Sequence, residues 1–308
     1  MKDMFRLRPD LTASTPISLA NYIKRSREGE IDIVENKQDV GYIVKDRWSL
    51  PDLTSALKWC TERNRQHIRC ILAVIAEFAR TPEESQHALQ VQLAGIRATA
   101  DPKTGISFSI KPSAIGILFD HGEYVRNLSL LFHEALNNGV PFEIDMEGRP
   151  FVGGTLQSAL DLAGEGALTL ALQAYLDRTS RDLRVCINAA VTVRLVKGAY
   201  KGDTGDFTTI QKQFRTHAET LISAGAPFSV ATHDPELIDW LRVAMSDHKD
   251  FIQFAFLKGL AERTKTGMAA DGWKVAEYVP YGPGGQAYIQ RRERYLETLD
   301  NLGRAPVP

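Results

Sequence analysis

From residue 67 onward the chain alternates short apolar runs with longer amphipathic ones. Residues 68–75 form a nearly continuous apolar run of strand length, and Thr81-Pro-Glu-Glu84 then opens a helix with acidic residues in its first turn. That helix runs to about residue 98. The pattern repeats as a strand over 106–111 and a helix over 123–137, then a strand over 142–147 and a short helix over 155–162. A strand over 168–175 has Gln173 at its end, with a helix near 179–187 after it. The stretch Val191-Thr-Val-Arg-Leu-Val-Lys-Gly-Ala-Tyr200, β-branched at its start, reads as a fifth strand that ends in Lys197-Gly-Ala199. A helix over 206–223, strands over 228–233 and 251–257 separated by a helix over 235–245, a strand over 273–281 and a closing helix over 286–302 complete the series.

Eight strands alternating with helices predict an α/β fold, a (β/α)8 TIM-like barrel over 67–308. A doubly wound open sheet is the structural alternative. Residues 1–66 read as an N-terminal helical appendage, with amphipathic stretches at 18–27 and 50–63 and a helix start at Ser49-Leu-Pro-Asp52. No linker or repeat divides the chain, so one structural domain is expected.

Composition narrows the partners. The 308 residues are 44% hydrophobic and 24% charged with a net charge of −1, a soluble globular balance without the basic excess that nucleic-acid binding needs. Cys60, Cys70 and Cys186 show no metal-ligand spacing and suit a reducing compartment. Met1-Lys-Asp-Met-Phe-Arg6 is no signal peptide, and no apolar run is long enough for a transmembrane helix. A cytoplasmic location is expected, with peripheral membrane contact left open.

The candidate chemistry is positional. Glu77, Lys111, Asp145, Gln173, Arg194, Lys197, Thr232, His233 and Tyr278 all stand at or just beyond strand C-terminal ends, which converge on one mouth in a barrel. Strand alternation puts Arg194 and Val196 on one face and Lys197 on the other until the strand ends. Gly198 then allows a turn and a close approach of a ligand to the backbone. Each residue also has a plainer reading: Asp145 and Glu147 as caps of nearby amides, Lys111 as a snorkelling lysine, His233 with Asp234 as a local pair. Gly282, Gly284 and Ala287 match a dinucleotide GxGxxA pattern, but too little chain follows for the second strand and its ribose-binding acid. On the closing helix Tyr288, Arg292 and Tyr295 share a face with Arg291 beside them, either a solvated charge run or a bidentate carboxylate clamp.

Val193-Arg-Leu-Val-Lys-Gly-Ala-Tyr200, Ile144-Asp-Met-Glu147, Ala231-Thr-His-Asp234 and Tyr278-Val-Pro-Tyr-Gly282 with Tyr288 and Arg291-Arg292 together resemble the proline dehydrogenase family. Ser109-Ile-Lys111 and Gln173-Ala-Tyr175 fit the same pattern, which runs in order from Glu77 to Tyr295. The resemblance implies an FAD-dependent barrel that oxidises L-proline to 1-pyrroline-5-carboxylate and passes electrons to a quinone. By position it implies Asp145 and Arg194 as catalytic residues, Arg194 beside the flavin N5. Met146, Gln173, Arg194, Val196, Lys197, Gly198, Ala199, Tyr200, Thr232 and His233 would hold FAD. Lys111, Leu257, Tyr278, Arg291 and Arg292 would surround the amino-acid substrate, Asp145 would orient Lys111, and Glu77 would pair with an arginine to close the site.

Three stretches depart from the family pattern: Tyr295 where glutamate is usual, Ala255-Phe-Leu-Lys258 where glutamine opens the segment and tyrosine ends it, and Ile75-Ala-Glu77 in place of Leu-Gly-Glu. Further functional readings are a relative oxidising another cyclic amino acid in specialised metabolism, a Schiff-base aldolase using Lys111 or Lys197, and a non-catalytic ligand-binding barrel.

Overall fold

The structure is a computed structural model and describes residues 47–301 except 102, 103 and 284. The expected helix over 18–27 lies outside the described residues. Eight parallel strands close into a barrel in sequence order: β1 (Ile68–Val74), β2 (Ile106–Ile110), β3 (Phe142–Ile144), β4 (Leu168–Gln173), β5 (Thr192–Val196), β6 (Phe228–Ala231), β7 (Ile252–Leu257) and β8 (Lys274–Tyr281). The barrel closes by pairing β1 with β8 from Ile68↔Val275 to Val74↔Tyr281.

The helices are α1 (Leu53–Arg65), α2 (Pro82–Ala98), α3 (His121–Asn137), α4 (Arg149–Ala163), α5 (Thr179–Asn188), α6 (Phe207–Ala224), α7 (Pro235–Ala244), α8 (Glu262–Ala270) and α9 (Gln286–Asn301). Their starts follow from local capping. Asp52, Thr81, Asp120, Asp206 and Asp234 each accept a backbone N–H of the following first turn.

Several boundaries move from the sequence expectation. The helix expected over 155–162 is α4 and begins at Arg149; Pro150 belongs in a first turn, and Gly153-Gly154 lowers the helical signal there without preventing the helix. The third strand ends at Ile144 and the fifth at Val196, each a few residues early. Leu50 is outside α1 and bridges Tyr281, donating its N–H to Pro280 and accepting from Gly282.

Two packing shells result. The larger lies between the outward faces of the strands and the helices, and includes Leu72, Phe108, Leu170, Leu195, Phe254 and Val279. Inside the barrel the apolar cluster is small: Ile71, Ala73, Ala255, Ala276 and Tyr278, with Ala231 and Leu257 packed against it. Arg194 pairs in register with Ala171 on one side and Ser229 on the other. Such small neighbours leave room for a guanidinium where larger barrels place branched side chains. α1 packs outside the barrel against β1 and β8. α9 instead crosses the C-terminal mouth and contributes its own side chains to the cavity there.

Candidate active site

The floor of the mouth is built around Asp145, one residue past β3. Its Oδ2 lies 2.6 Å from Lys111 Nζ and accepts the Tyr278 hydroxyl at 2.6 Å. Its Oδ1 accepts the Ser109 hydroxyl at 2.9 Å and pairs with the Arg194 guanidinium. Arg194 also reaches Glu143 Oε2 at 3.0 Å. These groups come from β2, β3, β5 and β8, so only the closed barrel assembles them. Burial pushes Asp145 toward its neutral form, but the adjacent Lys111 and Arg194 charges outweigh this and hold its carboxyl well below the usual range. Burial likewise opposes the Lys111 charge, and Asp145 reverses it, raising that ammonium well above an ordinary lysine. Burial, and then the Asp145 charge, push the Tyr278 hydroxyl up. Asp145 is thus an acceptor locked in its ionised form, not a base waiting for a proton.

The β5–β6 side is different in kind. Because β5 ends at Val196, Lys197 escapes strand alternation and turns into the mouth, where its Nζ lies 2.6 Å from Asp234 and 4.0 Å from the Phe207 ring centroid. Asp234 serves Lys197 and the start of α7, and also accepts Gln211 Nε2 at 3.0 Å. His233 Nε2 accepts the Leu257 N–H at 3.0 Å, which fixes a neutral ring. Burial, with help from the Lys265, Arg292 and Lys197 charges, takes its pKa down to about 3. Gly198 has φ +130, and a Cβ there would overlap the Tyr175 ring at 1.3 Å. The space a side chain would need is filled by the protein's own tyrosine rather than kept for a ligand.

α9 forms the roof. Arg291 pairs with Glu77 Oε2 at 2.6 Å and lies 5.3 Å over the Tyr200 ring. Arg292 lies 5.0 Å over the Tyr288 ring, and no carboxylate among the described residues pairs with it. The Nε atoms of both arginines are buried without a hydrogen-bond partner. Tyr295 packs its ring edgewise on His233, centroids 6.2 Å apart. The residue that stands where the family has glutamate thus braces α9 against β6 without charge.

Floor, side wall and roof enclose a cavity of about 570 Å³. Lys111, Arg194, Lys197, Lys201, Arg291, Arg292 and Arg294 border it, against one lining carboxylate among the described residues, Asp145. Glu77, Glu143 and Asp234 offset part of this charge from behind. The remaining positive excess, with two orphaned guanidinium Nε atoms, fits anionic occupants: a diphosphate-bearing cofactor and a small carboxylate. Gln173, Val196, Lys197, Ala199 and His233 supply a strip along β4–β6 suited to a flat group.

The cavity lining brings together Lys111, Asp145, Met146, Gln173, Arg194, Val196, Lys197, Gly198, Ala199, Tyr200, His233, Leu257, Tyr278, Arg291 and Arg292. Thr232 and Glu77 stand outside it. The Thr232 hydroxyl accepts the Asp234 N–H at 3.2 Å, and Glu77 reaches the site through Arg291 and, at 3.9 Å, through Lys111. Sequence reasoning missed Glu143 as a partner of Arg194. Its position two residues before Asp145 put both on one strand face, which was the available signal. It also missed Lys201, Arg294 and Thr298 in the lining, residues on an exit loop and a polar helix face that carry no pattern of their own.

Comparison with known proteins follows the same line. The family model described as proline dehydrogenase matches residues 56–294. "Proline dehydrogenase" of Deinococcus radiodurans is 27% identical over 286 residues, covering 86% of this chain and 92% of that one. "Proline dehydrogenase 2" of Bacillus subtilis is 24% identical over 249 residues, covering 78% and 82%. "Carbapenem antibiotics biosynthesis protein CarD" of Pectobacterium carotovorum is 24% identical over 271 residues, covering 74% and 72%. Among solved structures, proline utilization A from Bdellovibrio bacteriovorus inactivated by N-propargylglycine superposes with a TM-score of 0.75 at 18% identity. That match covers 83% of this chain but only 33% of the larger one, and shows a shared fold. With a family model spanning the barrel from α1 to the roof helix, the chain belongs to the proline dehydrogenase family.

Proposed function

We propose that this chain oxidises L-proline to 1-pyrroline-5-carboxylate, with FAD along β4–β6 and a quinone as onward acceptor. The observation that carries the reading is the arrangement of the Asp145–Lys111–Tyr278 floor opposite Arg291 and Arg292 across one cavity. Family membership supports it. FAD, when bound, supplies the hydride acceptor; Met146, Gln173, Arg194, Val196, Lys197, Gly198, Ala199, Tyr200 and His233 would hold it, with Thr232 supporting them from behind.

The chain's own residues do the rest. Arg292, without an acidic partner, takes the substrate carboxylate, and Arg291 joins it while still paired with Glu77, which closes the site. Tyr278 and Leu257 wall the ring. Hydride leaves the ring carbon beside nitrogen, and the nitrogen lone pair forms the new C=N bond, so the amine must be neutral. Lys111, held charged by Asp145, and Arg194 beside it oppose an ammonium there and favour loss of its proton before reaction. Asp145 orients Lys111 and Tyr278.

A relative acting on another cyclic amino acid is the second reading, favoured by the match to CarD and by the family departures at Ala255 and Tyr295. The aldolase reading is opposed by a Lys111 held well above its ordinary pKa, since a Schiff base needs a neutral amine. The visible spectrum of purified protein before and after anaerobic L-proline tests the proposal. A flavin band that bleaches is expected. A colourless protein overturns the cofactor assignment, and a flavin that bleaches only with another cyclic amino acid overturns the substrate.

A further inference from the structure

Glu147 has no part in that chemistry, yet it is completely buried beside the cavity. Its carboxylate accepts Ser113 N at 2.6 Å, the Ser113 hydroxyl at 2.7 Å and the Tyr200 hydroxyl at 3.2 Å. Its backbone carbonyl accepts Gln173 Nε2 at 2.9 Å. Ser113 in turn receives the next loop: its hydroxyl accepts Phe78 N at 3.1 Å and its carbonyl accepts Ala79 N at 2.9 Å. Phe78, directly after Glu77, sits at φ +60, an unfavourable conformation for a residue with a Cβ, which those two bonds hold. On the other side, Tyr200 lies under Arg291, and Arg291 pairs with Glu77. The contacts therefore form a ring through Glu147, Ser113, the Glu77 loop, Arg291 and Tyr200. Glu147 touches both arms.

We infer that Glu147 is a positioning residue for the closed site: through Ser113 it sets the loop that aims Glu77, and through Tyr200 it sets the ring beneath Arg291, so that one buried carboxylate fixes both halves of the closure over the substrate. The inference rests on reading the cavity as a carboxylate-substrate site. A glutamine at 147 keeps the volume but replaces one acceptor with a donor. If its oxygen keeps the Ser113 N–H, its amide group faces the Ser113 and Tyr200 hydroxyls, which must turn to accept and lose the carboxylate as their own acceptor, so the hold on the arms loosens.

The test uses flavin-loaded enzyme and cyclopentanecarboxylate, a ring carboxylate that has no amine to oxidise, with the perturbation of the flavin band as readout. Glu147→Gln should raise its Kd about tenfold, and the KM for L-proline likewise, while kcat changes less than threefold. In an Arg291→Ala background the same substitution should change Kd less than twofold, because the element it positions is gone. An unchanged Kd in the single variant overturns the inference, as does an equal loss in both backgrounds, which marks a general structural effect. If Glu147→Gln does not retain flavin, Ser113→Ala takes its place with the same expected non-additivity, and an unchanged Kd there overturns the inference. A wild-type enzyme that neither binds the probe nor bleaches with L-proline fails the functional reading; one that does both while the variants match it fails this inference alone.

Discussion

Two buried carboxylates in this molecule have nearly the same company and opposite consequences. Asp145 at the mouth has a lysine, an arginine and an aromatic donor: Lys111, Arg194 and Tyr278. Glu277, on the outward face of β8, has Lys265, Arg63 at 3.1 Å and the Trp59 indole N–H at 2.6 Å. Glu262 completes the second cluster, 2.6 Å from both Arg63 and Lys265. The Glu277 cluster ties α1 and α8 to the barrel wall and borders neither of the described cavities. Its charges are matched within the cluster. The Asp145 cluster opens onto a cavity whose cations outnumber its acids. Strand alternation decides which is which, since Glu277 and Tyr278 are neighbours that face opposite sides of one strand. A buried charge cluster therefore marks a site only where its charge is left unmatched at a cavity.

Breaking each cluster should separate the two roles. Asp145→Ala should slow flavin reduction by L-proline about 100-fold or more, since Lys111 and Tyr278 lose their orientation. The fold should survive, because Lys111 can rehydrate from the cavity. Glu277→Ala should instead cost about 3–5 kcal/mol of stability by leaving Arg63 and Lys265 to share Glu262, with one buried positive charge unmatched, and with reduction rate per bound flavin unchanged. Denaturant unfolding and stopped-flow reduction on both variants check this, and a slow, fully stable Glu277→Ala protein would erase the distinction.

The roof arginines sharpen the same contrast between matched and unmatched charge. Arg292→Ala should weaken carboxylate binding about 30-fold or more, and Arg291→Ala less, because Glu77 already engages Arg291. Equal losses would show that the Glu77 pair opens fully on binding. Trp59→Phe removes a hydrogen bond to buried Glu277 and should cost about 1–3 kcal/mol with no change in KM.

The smallest effect concerns His233. Its folded pKa of about 3 lies below the ordinary 6.5, so as pH falls the unfolded chain takes up a proton that the folded one refuses. Stability from this group is complete above pH 6.5 and is lost progressively down to about 3, roughly 2 kcal/mol of it between pH 7 and 5. His233→Gln, which can still accept the Leu257 N–H, should flatten that part of the pH–stability curve.

Much of this was legible in the sequence, and for a definite reason. A barrel converts linear periodicity into convergence, so polar residues at successive strand ends identify one mouth before any coordinate is known. Lys111, Asp145, Arg194 and Tyr278 were found that way. What alternation could not supply was where a strand stops. Lys197 enters the mouth only because β5 ends one residue earlier. The pairing of Asp234 with Lys197 depends on the turn into α7. Gly198 gave no sign of Tyr175, which arrives from a different strand exit and fills the space a Cβ would need. Tyr295 was visible as a departure from the family pattern, while its packing on His233 required the crossing of α9 over β6.

That crossing also bears on time. Leu296 and Tyr288 of α9 pack with Leu260 and with Trp48, a residue that precedes the first strand, while Tyr295 is fastened to the end of β6. A helix bolted at both the near and far rim opens only by breaking these contacts together, a microsecond-to-second event, whereas swinging the Arg291 and Glu77 side chains apart needs only rotamer changes, orders of magnitude faster. Ligand traffic should accordingly be set by side-chain rotation, with α9 amides as slow to exchange hydrogen as those of the barrel strands. Rapid exchange along α9 would mean that the whole helix lifts.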